Sequence, residues 1–237
     1  MVKQKVMRFY KMVIVTVFTF TSLTVLSGCS DDDENTMTTT PVVSPKTTVT
    51  HASPNAPNVD ILVGDAVVAT NVPYLASLPY TALNVGNNRI RVNVTGTSTT
   101  VIDATLPFAE GANYSIFAVD SVNKISAIRV EDNLTAPASG NSHVRFIHLS
   151  PNAPAVDIAV TGGPVLFPDY TFKEFSAFTP VPAGTYNLEV RLAGTTTVVL
   201  SLPNITLANG KIYTVYARGF VGATGTQELG ASIIANN

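Results

Sequence analysis

A segment of thirteen residues, written twice, sets the main limit on what this chain can fold into. His51-Ala52-Ser53-Pro54-Asn55-Ala56-Pro57-Asn58-Val59-Asp60-Ile61-Leu62-Val63 returns 97 positions later as His148-Leu149-Ser150-Pro151-Asn152-Ala153-Pro154-Ala155-Val156-Asp157-Ile158-Ala159-Val160, with three positions changed. Repetition at that fidelity marks a duplicated domain, so the 237 residues divide into two small units rather than one large one. The single cysteine, Cys29, excludes a disulfide within the chain. Each unit must therefore be held by an apolar core, which ~90 residues can supply without much margin. A net charge of −2 and the lack of any Lys/Arg cluster after Lys11 argue against a nucleic-acid partner.

The first thirty residues read as an address. Lys3, Lys5, Arg8 and Lys11 form a basic start, and Met12 to Val25 is a largely apolar stretch of 14 residues. That length fits a signal peptide better than the roughly 20 residues of a spanning helix. Leu26-Ser27-Gly28-Cys29 follows and resembles the bacterial lipobox. The resemblance implies cleavage before Cys29 and acylation of that residue, which would be the protein's contact with the membrane. Ser30-Asp31-Asp32-Asp33-Glu34 comes next. It serves either as a solvated spacer or, by its similarity to acidic export signals beside lipidated cysteines, as a signal for display at the outer-membrane surface; a periplasm-facing anchor is the alternative. The expected layout is a signal peptide over 1–28, a Thr/Pro-rich tether over 29–46, a first repeat over 47–131, a linker over 132–141 and a second repeat over 142–237.

Within the repeats the pattern is short alternating runs punctuated by Gly, Asn and Pro. Ile90, Val92 and Val94 share one face of Arg89–Val94, and Leu188, Val190 and Leu192 do the same in the second copy. A period of two with polar residues outward is a half-buried antiparallel strand. Seven or eight such strands per repeat predict an all-β chain of two tandem immunoglobulin-like Greek-key β-sandwich domains. Gly111-Ala112-Asn113-Tyr114 and Gly210-Lys211-Ile212-Tyr213 place a Gly before a strand-opening Tyr at matched positions. Each fits a tyrosine corner, whose hydroxyl bonds back to the loop, or an ordinary core tyrosine.

The repeated motif holds the residues most able to do chemistry: His51, Ser53 and Asp60, with His148, Ser150 and Asp157. One histidine and one carboxylate per domain fall short of a metal site, and no nucleophile or cofactor motif accompanies them. The prolines stiffen the loop. Ser53 can form a local turn to the Asn55 amide, but Asn55 has no Asx-turn available, because Pro57 carries no N–H. Its side chain must bond elsewhere. Val59, Ile61 and Val63 share a face that excludes Asp60, whereas His51 lies on the face of Val49. These arguments favour a structural brace over a catalytic pair.

The motif resembles the hallmark of the bacterial domain-of-unknown-function 4397 family, His-x-Ser-Pro-(Asp/Asn)-Ala-Pro-x-Val-Asp, at 51–60 and 148–157. Pro182-Ala183-Gly184-Thr185-Tyr186 is similar to a later landmark, from which the first copy departs at Asn84-Val85-Gly86-Asn87-Asn88. The resemblance implies an extracytoplasmic β-sandwich, often on a lipoprotein, and transfers no catalytic residue. The copies differ most over 167–178, where Phe167, Tyr170, Phe172, Phe175 and Phe178 form either a binding patch or a cap on the core. The expected function is a surface binding or adhesion module for a protein or glycan, with an inert envelope spacer as alternative and a hydrolase third.

Overall fold

The computed structural model describes residues 41–237. The expectations for the signal peptide, Cys29, the acidic run and most of the tether lie outside the described residues. Residues 41–237 form one compact unit that contains two tandem β-sandwiches.

In the first repeat, β1 (Lys46–His51), β4 (Thr81–Ala82), β7 (Asn113–Val119) and β8 (Ser126–Glu131) make one sheet, ordered β4-β1-β7-β8. The other sheet, β3-β2-β5-β6, is built from β2 (Val59–Val63), β3 (Ala66–Val72), β5 (Gly86–Val94) and β6 (Thr100–Phe108). The second repeat copies both. Its sheets are β12-β9-β15-β16 and β11-β10-β13-β14, from β9 (Asn141–His148), β10 (Val156–Val160), β11 (Val165–Tyr170), β12 (Thr179–Pro182), β13 (Gly184–Leu192), β14 (Val198–Leu207), β15 (Ile212–Arg218) and β16 (Gly230–Ala235). In each repeat the opening strand runs parallel to the penultimate one, β1 on β7 and β9 on β15, while every other pairing is antiparallel.

Alternation explains the outer sheets. Ile90 of β5 points inward beside Ile116 and Val92 beside Ile61, while Val190 of β13 packs with Phe146 and Ile158 and Leu188 faces the same gap between the sheets. The inner sheets do not alternate. Tyr114 to Val119 are buried without a break, as are Val144 to His148, because both faces of these sheets are covered. Phe117, Val119 and Val130 of the first repeat pack with Ile147, Leu149 and Tyr216 of the second in a single cluster. Residues 41–237 thus form a stack of four layers, with the two inner sheets face to face.

Polar groups cross this seam as well. The Arg145 guanidinium lies 2.6 Å from the Asp132 carboxylate, with side-chain exposures of 1% and 0%. Arg145 also donates to Thr214 Oγ1 at 2.8 Å and to Ser115 Oγ at 2.9 Å, and the Phe178 ring lies 4.5 Å beneath it. The Tyr80 hydroxyl donates to Asp132 and accepts from Asn236 Nδ2 at 2.9 Å. Burial, with the neighbouring carboxylate, pushes that phenol far above its ordinary range.

Both landmark tyrosines form corners. The Tyr114 hydroxyl accepts from the Ala109 amide, and the Tyr213 hydroxyl from the Ala208 amide, each at 3.2 Å. Where the first copy departs from the Pro-x-x-x-Tyr landmark, the bond itself survives. Asn88 Nδ2 donates to the Asn84 carbonyl at 2.8 Å, and the Tyr186 hydroxyl donates to the Pro182 carbonyl at the same distance.

Candidate functional site

The motif lies at one end of each sandwich and gathers the loops there. His51 exchanges backbone hydrogen bonds with the β3–β4 connection, through Ala76 and Leu75, and its ring Nε2 bonds the Pro57 carbonyl at 3.0 Å. His148 repeats this, with Nε2 on the Pro154 carbonyl at 3.1 Å. A carbonyl can only accept, so the proton sits on Nε2. Nδ1 of each ring is buried without a hydrogen-bond partner. Burial is the main influence on both imidazoles and holds their pKa below the ordinary histidine value.

The serines bond to a different place from the one their sequence allows. Ser53 donates not within its own loop but to the Asp120 carbonyl at 2.6 Å, and Ser150 to the Gly219 carbonyl at 2.7 Å. Asp120 and Gly219 both have φ of 77°, at the point where the chain leaves β7 and β15. That turns their carbonyls out of the ladder and toward the serine. Asn55 and Asn152, denied an Asx-turn, accept from Val122 and Val221 at 2.8 Å each, across the same loop.

The aspartates look away from the histidines. Asp60 accepts from the amides of Asn71 and Gly96 and from the Thr95 hydroxyl, at 2.8, 3.3 and 3.0 Å. Those bonds, led by the Asn71 amide, hold its carboxyl below the usual carboxylate range. Asp157 accepts from Asp169 and Gly194 at 2.7 and 2.9 Å. Asn71 and Asp169, each one residue before the end of β3 or β11, have φ of 54° and 56° where the strand register shifts, and the carboxylate ties each kink to the facing β5–β6 or β13–β14 turn. Histidine and aspartate share no bond in either repeat. Among the described residues no cluster of three or more His, Cys, Asp or Glu is placed to hold a metal.

The aromatic stretch over 167–178 is not one patch. Phe167 is 4% exposed, because its register opposite Ile158 turns it into the core against Phe146. Tyr170 packs edge-on to Phe146 with ring centroids 5.6 Å apart. Phe172 is half-buried below the Lys173 ammonium, which reaches Ser126 of the first repeat at 3.1 Å. Phe178 is taken by Arg145. Only Phe175, at 47%, presents its ring to solvent. Phe167 is therefore a core residue, which corrects its place in a candidate binding patch, while Tyr170 is half-buried against that core; counting aromatics could not assign each to a face.

The copies disagree more usefully in the loop after the penultimate strand. It runs over six residues, Asp120–Ile125, in the first repeat and over eleven, Gly219–Leu229, in the second. The longer loop stands against Pro154 of the motif and the ends of β13 and β14, and encloses a groove of about 500 Å³. Val199, Val221 and Leu229 give it an apolar lining, and Glu228 a single carboxylate. The size is that of a small-ligand or peptide-anchor site. The two loop lengths can be read from the sequence once the repeats are aligned at Tyr114 and Tyr213.

Fold and site together define a tandem β-sandwich whose most repeated residues are spent on holding loops. The family model described as a domain of unknown function, DUF4397, matches residues 45–159 and 156–237. The chain belongs to the DUF4397 family. No curated protein matches it. Among solved structures it is similar to CBMbc, a family 26 carbohydrate-binding module of Eubacterium rectale Amy13K, in complex with maltoheptaose. That match has 10% identity and a TM-score of 0.27, over 80% of this chain and 96% of that one.

Proposed function

We propose that this protein is a lipid-anchored binding module of the bacterial envelope, tethered through Cys29 and displayed at the outer-membrane surface, with the groove of its second repeat as the binding surface. The observation that carries the reading is the groove itself. A loop five residues longer in the second copy than in the first, built against a motif common to both, adds a concave apolar surface to a scaffold held rigid by that motif. The tether is supported by the basic and apolar N-terminal segment, the lipobox and the acidic run. A hydrolase centred on His148 and Asp157 finds no support, because Nε2 of the one is engaged by Pro154 and the carboxylate of the other by two amides.

The spacer reading draws on the buried seam, which makes two repeats one rigid body. Cells displaying the wild-type chain, the Cys29→Ala variant or the Val221→Asp variant separate these readings. Cys29→Ala should abolish incorporation of labelled fatty acid and surface protease sensitivity. Val221→Asp, at an exposed groove position, should keep display but lose adherence to glycan- or protein-coated surfaces. Display without any adherence in the wild type supports the spacer. Equal adherence of wild type and Val221→Asp removes the groove from the function.

A further inference from the structure

The two sandwiches are filled differently at one equivalent place. In the second repeat, Val144, Phe146, Phe167 and Tyr186 close the gap between the sheets and leave about 10 Å³. The same positions of the first repeat hold Thr47, Val49, Ala69 and Asn88, as the motif register, the hairpin ladders and the Asn88/Tyr186 bonds show. Three rings are missing, and two of the four positions, Thr47 and Val49, line a cavity of about 70 Å³ that opens toward the edge strands β3 and β4, with Val68, Pro79 and Thr81 at its mouth; Val49 stands there in place of the Phe146 ring. The fourth change goes the other way in polarity. Thr47 puts a hydroxyl where the second copy has an apolar side chain. It lines the cavity at 5% exposure, and its Oγ1 has no hydrogen-bond partner.

A buried hydroxyl without a partner and an unfilled apolar space both destabilise a fold, and the second repeat shows that this scaffold accepts residues that remove both. We infer that the cavity of the first sandwich is a binding site for a small single-ring ligand carrying one hydroxyl, of the phenol class. The ring replaces what Phe146 supplies in the second copy, and the ligand hydroxyl pairs with Thr47 Oγ1. The site is independent of the groove in the second repeat, on the other sandwich.

The test uses the whole chain, titrated with phenol and, in parallel, benzene, and followed by methyl NMR of Val49, Ile61, Ile90 and Ile116. Saturable shifts confined to these methyls are expected, with phenol bound more tightly than benzene. Thr47→Val should abolish the preference for phenol while benzene still binds. Val49→Phe should fill the space, block both ligands and leave the second-repeat methyls unshifted. Shifts scattered over both repeats, no saturable binding of either ligand, or a phenol preference that survives Thr47→Val would each overturn the assignment. Should Val49→Phe fail to fold, the Thr47→Val comparison decides alone.

Discussion

Phe117 and Tyr216 hold the same position in their respective repeats, three residues past each corner tyrosine, and their rings meet across the seam with centroids 6.0 Å apart. Ser115 and Thr214, equivalent in the same register, both bond Arg145. Asp132 and Asn236, one residue past equivalent positions of β8 and β16, both bond Tyr80. A surface that meets its own copy is the arrangement of a two-fold homodimer, here joined in one chain. The departure from symmetry is Arg145, which stands where the first repeat has Thr48.

That departure makes the seam sensitive to single changes. Arg145→Met leaves the Asp132 carboxylate buried without its cation and should cost about 3–5 kcal/mol. Arg145→Met combined with Asp132→Leu removes both charges and should recover a large part of the loss. Urea unfolding of the wild type, the single and the double variant measures the coupling. An additive double variant would mean that the pair is not what holds the repeats together.

The buried histidines set a pH dependence. His51 and His148 have folded pKa values below the ordinary one because burial disfavours the imidazolium. The unfolded state therefore binds more protons, so stability is complete above about pH 6.5 and falls as pH drops toward the folded values. The slope approaches about 1.4 kcal/mol per pH unit for each histidine. Asp60, Asp103 and Glu174 are held below the usual carboxylate range, so their loss begins only below about pH 4.5. Urea midpoints between pH 7.5 and 5 should decline in the wild type, decline about half as steeply in His51→Gln or His148→Gln, and stay flat in the double variant.

Tyr114→Phe distinguishes a corner from a core ring. It keeps the ring against Phe108, 5.2 Å away centroid to centroid, and deletes only the acceptor for the Ala109 amide. A loss of about 1 kcal/mol in thermal or urea unfolding, with faster exchange of the Ala109 amide, fits the corner. An unchanged midpoint would mean that the hydroxyl contributes nothing.

Much of this was legible in the residues. The repeat gave the number of sandwiches, alternation gave the outer strands, and the prolines gave the blocked turn that sends Asn55 and Asn152 to the next loop. The seam was not. Arg145 inside Val144–Ile147 reads as a solvent-facing charge on an alternating strand, since sequence does not say that a second sheet covers that face. Its partner Asp132 sits at the start of what reads as a polar linker. The aromatic stretch misleads for a related reason. Phe167 and Phe175 differ by register and by the turn between them, and composition carries neither.

Gly219 tests the groove through its backbone. Its φ of 77° is also that of Asp120 in the first copy, so the left-handed conformation alone does not demand glycine. Asp120 tolerates it with its carboxylate on the Ser121 amide at 2.7 Å. What differs is the long loop, which returns over Gly219 and pairs Phe220 with Gln227 and Glu228. A Cβ on Gly219 would collide with the carbonyls of Gln227 and Glu228, and backbone on a closed loop has little room to yield. Gly219→Ala should add this displacement to the ~1–2 kcal/mol that an L-residue meets in left-handed backbone. Amide exchange of Phe220 and Glu228 should quicken, and the groove should open while the corner at Tyr213 stays protected. Asp120→Gly, where no loop returns, should change stability by no more than about 1 kcal/mol. Equal effects of the two substitutions would mean that the strain is local, and that the long loop is not held by its closure over Gly219.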